Sequence, residues 1–128
     1  MGALSPEFLV TNARWAGAAP TLSVLTPFLR DDPTPLIEAL GRNPGAAELI
    51  ILDDGTNDPV LAEKVAAAIE AFPGAARFIR STVNLGRSAG RNRLIAEARA
   101  AHVLFLDADM LPDNEDFLQR YDTLVREK

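Results

Sequence analysis

The chain has 128 residues, 48% of them apolar and 24% charged, with a formal net charge of −5 and a pI near 4.8. That composition fits one globular domain burying about two-thirds of its unfolded surface, and it excludes disordered, collagen-like and coiled-coil classes. An acidic balance also excludes nucleic acid as the partner, because backbone binding by counterion release needs a basic face. With no cysteine and a single His102, disulfides, thiolate metal sites, a Cys nucleophile and a histidine metal cluster are all ruled out.

The opening "MGALSPEF" looks like residues left by an expression vector, and the following "VTNARWAGAAP" has no periodicity. Residues 1–20 are therefore expected to be vector-derived or irregular, outside a domain at 21–128. From Thr21 the text alternates between two kinds of segment. "TLSVLT" is a short β-rich run stopped by Pro27, and "PTPLIEALGRN" places Leu36, Ile37 and Leu40 at helical spacing with prolines in its first turn. "ELIIL" is a continuous apolar run ended by Asp53, Asp54 and Gly55. "DPVLAEKVAAAIEAF" carries Leu61, Val65, Ala68, Ile69 and Phe72 on one stripe, an amphipathic helix closed by "PG". "ARFIRS" is a weaker third strand, and "SAGRNRLIAEARA" a third helix with Leu94, Ile95 and Ala98 inward. "HVLFL" is the fourth strand, and "NEDFLQRYDTLVRE" a last helix with Phe117, Leu118, Tyr121, Leu124 and Val125 inward.

Strands alternating with helices predict an α/β domain, a Rossmann-like parallel sheet with helices on both faces. The all-apolar strand runs agree, since such strands are buried on both sides. No apolar run approaches the roughly 20 residues of a membrane span, and no basic region precedes an apolar core at the N-terminus.

In open parallel sheets ligands bind beyond the carboxyl ends of the strands, and the polar residues Thr26, Asp53, Asp54, Asp107 and Asp109 all stand there. In "VLFLDADMLPD", residues 103–113, an apolar strand runs into Asp107 and Asp109, whose alternation points both carboxylates the same way. Two such charges repel, and a hard divalent cation with oxygen ligands is the usual remedy. In "LDDGTND", Gly55 reads as a turn and Asp58, ahead of Pro59, as a helix cap, whereas Asp54 is an acceptor placed to meet a base N–H. In "NLGRSAGRNR", Gly86 and Gly90 permit close backbone approach. Arg87, Arg91 and Arg93 stand against the helix dipole, which points to an anionic ligand. The phosphate-binding glycine signatures of other folds are absent.

Taken in order, "LTPFLRD", "ILDDGTND", "NLGRSAGRN" and "FLDADMLPD" resemble the nucleotide-binding part of family-2 glycosyltransferases of the GT-A fold, from about residue 21 to residue 113. The resemblance implies that Thr26, Pro27 and Phe28 contact the nucleoside and that Asp54 reads the base. It implies that Gly86 and Arg87 approach base or phosphate. In the D-x-D motif, Asp107, Ala108 and Asp109, the two aspartates would hold Mn²⁺ or Mg²⁺ on the donor diphosphate. The implied donor is a UDP-, GDP- or dTDP-sugar, and the implied reaction is inverting transfer to a glycan or lipid acceptor, as in bacterial-type polysaccharide biosynthesis. The setting would be cytoplasmic or at the inner face of the membrane. The family's general base lies well beyond the D-x-D motif, yet only 19 residues follow Asp109, and Asp113, Glu115 and Asp116 read as first-turn helix residues. The expectation is a truncated N-terminal half of a GT-A domain, inactive alone, that self-associates through the edge left beside "HVLFL". A receiver-like signalling domain with an acidic phospho-acceptor pocket is the rival reading; it lacks the later strand-borne Thr or Ser and Lys that such a pocket needs.

Overall fold

The computed structural model describes residues 7–110. Their elements run β1 (Glu7–Thr11), β2 (Leu22–Phe28), α1 (Thr34–Gly41), β3 (Ala47–Asp54), α2 (Pro59–Ala71), β4 (Ala75–Ser81), α3 (Arg87–Glu97) and β5 (Val103–Phe105). The expected helix over residues 114–127 lies outside the described residues.

The five strands form one sheet in the order β1-β4-β3-β2-β5, parallel except for β1, which runs antiparallel along β4. Counted from β2, the parallel part has the order third, second, first, fourth, which is that of a Rossmann half and not the 2-1-3 order of receiver domains. The strand order thus removes the receiver reading. Every residue of β3 is buried, as a central strand covered on both faces requires. Leu49 and Ile51 join Leu36, Ile37, Leu40, Val65 and Ile69 in the core beneath α1 and α2, whereas Ile50 and Leu52 join Leu94 of α3 on the other face.

Asp58 caps α2, accepting the Val60 and Leu61 amides ahead of Pro59. Helix α1 starts at the N-cap Pro33 without a side-chain cap, and Asp32 before it braces the entry by accepting both the amide and the hydroxyl of Thr34. Strand β2 continues through Pro27 where a stop was expected. Its even ladder explains this: the Ser23 amide donates to His102 and the Leu25 carbonyl accepts from Leu106, both on the β5 side. The Pro27 nitrogen faces that same side, beyond the last residue of β5, so no ladder bond is lost. Ile95, expected inward, is 48% exposed; α3 buries Gly90 and Leu94 instead.

The larger correction concerns residues 7–18. Expected to be irregular, they supply an edge strand and two anchors. The buried Asn12 side chain donates to the carbonyls of Ile69, Phe72 and Gly74 and accepts the Ala76 amide. Trp15, 7% exposed, is capped by the guanidinium groups of Arg77 at 4.3 Å and Arg99 at 3.7 Å. These partners lie about sixty residues or more downstream, so no local pattern announces them.

Candidate functional site

A cavity of about 640 Å³ opens at the carboxyl ends of the strands. It spans the gap between β2 and β5, where the strand order reverses, which is where an open α/β sheet binds its ligand. Pro27, Phe28, Leu29 and Asp31 form one wall, from the end of β2 into the loop before α1. Gly86, Arg87, Gly90 and Arg91 of α3 form another, Asp54 and Asn84 close the β3 end, and Asp107, Ala108 and Asp109 close the β5 end.

Two turns are locked together at the β3 end. Asp54 accepts the amides of Leu85 at 2.6 Å and Gly86 at 3.2 Å, and Asn84 also accepts the Gly86 amide. Asn57 donates to the Thr82 carbonyl, and Asp53 accepts the Thr56 amide. Gly55 has φ +87°, and a β-carbon there would stand 2.7 Å from the Asn84 nitrogen. Only glycine lets the β3–α2 turn sit this close to the β4–α3 loop. Gly86, at φ +89°, then starts α3 with no side-chain cap. On the opposite wall Arg30 adopts φ 70°, its amide donating to the Thr56 hydroxyl, which turns Leu29 and Asp31 toward the cavity.

At the β5 end the geometry differs from expectation. The strand stops at Phe105, and Asp107 to Met110 form a turn closed by the Met110 amide on the Asp107 carbonyl. The two aspartates are thus exposed on a turn and not fixed by strand alternation, while Ala108 between them is buried. Among the described residues neither carboxylate has a cationic partner. Nor do three His, Cys, Asp or Glu side chains among those residues form a metal cluster.

Of the predicted site residues, Pro27, Phe28, Asp54, Gly86, Arg87, Asp107, Ala108 and Asp109 share this cavity. Thr26 does not. By strand alternation it faces the α1/α2 side with Val24 and Phe28, fully buried, its hydroxyl without a hydrogen-bond partner. Arg93 also leaves the site, pairing with Glu97 at 2.7 Å. Helical spacing accounts for that split, because positions 87 and 91 share a face and position 93 does not. Leu29, Asp31 and Asn84 are cavity residues that the sequence reading passed over; the left-handed turn at Arg30, which places the first two, has no sequence signature at an arginine.

The description "Glycosyl transferase family 2" fits residues 34–128. The chain belongs to glycosyl transferase family 2. Among solved structures, the family-2 chain is similar to a mannosyltransferase, PcManGT from Pyrobaculum calidifontis, solved in complex with GDP-Man and Mn²⁺. The TM-score is 0.61 and the identity 20%, over 84% of this chain and 32% of that one. The likeness establishes a shared fold, the Rossmann-like half of a GT-A domain, and the chain spans about a third of its neighbour's length. No curated protein matches the family-2 sequence.

Proposed function

We propose that the cavity is the donor site of a glycosyltransferase, taking a nucleotide-diphosphate sugar together with Mn²⁺ or Mg²⁺. The observation that supports this reading is unneutralised charge of both signs lining one cavity at the switch point: Asp107 and Asp109 with Arg87 and Arg91. The donor set fits a hard cation, since it offers carboxylate oxygens and no nitrogen or sulfur. Such ions are commonly held by one or two carboxylates, with substrate phosphates and water completing the shell. When bound, the metal would neutralise the diphosphate as it leaves. Pro27, Phe28 and Ala108 give the nucleoside apolar contact. Asp54 fixes the Leu85–Gly86 backbone and has lone pairs left to accept a base N–H. GDP-mannose, present in the similar mannosyltransferase, is the first donor to test beside UDP- and dTDP-sugars.

The whole protein, in this reading, transfers the sugar with inversion to a glycan or lipid acceptor, in the cytoplasm or at the inner face of a membrane. The 128-residue chain alone is proposed not to turn over, since none of its cavity residues is assigned the role of general base. Removing positioned proton abstraction costs 10²- to 10⁴-fold in rate as an order of magnitude. Strand β5 has β2 on one side and no strand on its other side among the described residues, and that edge is where the chain self-associates. Calorimetric titration with GDP and UDP, each with Mn²⁺ or Mg²⁺, tests the donor site: the parent binds, and Asp107→Ala and Asp109→Ala lose the metal-dependent part. Equal binding by parent and variants would refute the site. Sugar transfer by the chain alone would refute its inactivity, and a strict monomer by light scattering at high concentration would refute the edge contact.

A further inference from the structure

The cavity has two chemically different ends, and its two arginines belong to different ones. Arg87 follows Gly86, whose amide is held by Asp54 and Asn84 at the β3 end. Arg91 lies one helical turn further on, its guanidinium 4.0 Å from the centroid of the Phe105 ring. Phe105 is the last residue of β5, two positions before Asp107, so the stack brings Arg91 to the carboxylate end.

We infer that Arg91, placed over the Phe105 ring, is the diphosphate-gripping residue of the donor site, whereas Arg87 serves the nucleoside end. This deepens the donor-site reading and rests on it. A guanidinium drawn to a ring by cation–π attraction spends no hydrogen bond on it, so its planar fork of N–H donors stays available for phosphate oxygens. No described residue takes those donors. The contrast within the same chain is informative, because Arg77 and Arg99 also stack tightly, on Trp15, and each is neutralised, by Glu97 and Glu48 respectively. Arg93, two positions along the same helix, shares the Glu97 carboxylate with Arg77. Arg91 thus combines a position over the Phe105 ring, donors that no described residue takes and an uncompensated charge, and it lines a cavity in which Asp107 and Asp109 lack a cationic partner among the described residues. A diphosphate with its metal would neutralise both sets together.

The test is calorimetric titration of GDP, UDP and GMP with Mn²⁺ against the parent, Arg91→Met, Arg91→Lys, Phe105→Leu and Arg93→Met. Arg91 is exposed, so Arg91→Met keeps the apolar stem without straining the core, and thermal unfolding checks each variant. Arg91→Met is expected to weaken GDP and UDP alike, by about tenfold or more, as loss of a charge-assisted hydrogen bond implies, and GMP by less. Arg91→Lys restores part of the loss, Phe105→Leu gives an intermediate loss, and Arg93→Met matches the parent. Parent-like GDP binding by Arg91→Met overturns the inference, and so does an equal loss for GMP and GDP. Failure of the parent to bind any of the three nucleotides overturns the donor-site reading itself, and the inference with it.

Discussion

The two ends of the sheet bury and expose charge in opposite ways. At the amino ends of the strands, Glu48 is fully buried and fully engaged: it accepts the Ser23 hydroxyl at 2.6 Å, the Arg99 amide at 2.8 Å and the Arg99 Nε at 2.7 Å. Arg99 in turn donates to the Trp15 carbonyl and lies on its ring. At the carboxyl ends, Asp107, Asp109, Arg87 and Arg91 are exposed around a cavity and make no ion pair among the described residues. A closed network of this kind locks the α3–β5 connection and residues 12–15 onto the sheet. The open one leaves charges uncompensated at the edge where a ligand would sit. Substitutions at the first end should therefore be felt as stability, and substitutions at the second as binding.

The largest effect is expected from Glu48→Ala, which takes the acceptor from the Ser23 hydroxyl proton and the Arg99 amide and leaves Arg99 without its ion-pair partner; breaking a buried pair by removing one partner costs about 3–5 kcal/mol. Urea denaturation measures it. Asn12→Ala follows, at about 2–3 kcal/mol, since each buried backbone group left without a partner costs roughly 1–3 kcal/mol and some of these reach water. A loss of under 1 kcal/mol would show that β1 is not anchored through Asn12. Gly55→Ala comes next, at about 1–3 kcal/mol, from the left-handed backbone and the contact with Asn84. It should also weaken nucleotide binding, because the two locked turns carry Asp54 and Gly86.

A smaller effect belongs to Asp32, which pairs with Lys64 at 2.6 Å on the surface. Burial raises its carboxyl pKa, but hydrogen bonds from Lys64 and Thr34 and the Lys64 charge outweigh that, leaving it below the ordinary 3.8. A depressed carboxyl contributes stability above its unfolded-state pKa and loses it as pH falls through the lower folded-state value. Melts between about pH 5 and about pH 2 should therefore show a slightly flatter acid-side decline for Asp32→Asn. The smallest stability effect is expected at Asp107→Asn, within about 0.5 kcal/mol, as for exposed residues generally. If the proposed donor site is right, metal-assisted nucleotide binding is nonetheless lost in this variant. A large destabilisation there would erase the contrast between the two ends.

Whatever rests on local periodicity and local chemistry was legible along the chain. Apolar runs such as 49–52 fixed the strands, the stripe of Val65 and Ile69 fixed a helix face, and Asp58 before Pro59 fixed a cap. The acidic exits at Asp54 and at Asp107 and Asp109 marked the edge that carries the cavity, because a parallel sheet has only one edge at which its strands end together. Tertiary structure decided the rest. Asn12 and Trp15 carry no period, and their partners lie far along the chain, so the recruitment of residues 7–18 emerges only when the sheet assembles. Asp54 was legible as an acceptor, but its bonds to Leu85 and Gly86 depend on the approach of two loops past Gly55. Three arginines on one helix look alike in sequence, and only packing separates them. Glu97 neutralises Arg93, whereas the Phe105 ring turns Arg91 into the cavity, since charge is assigned by distance in space and not along the chain.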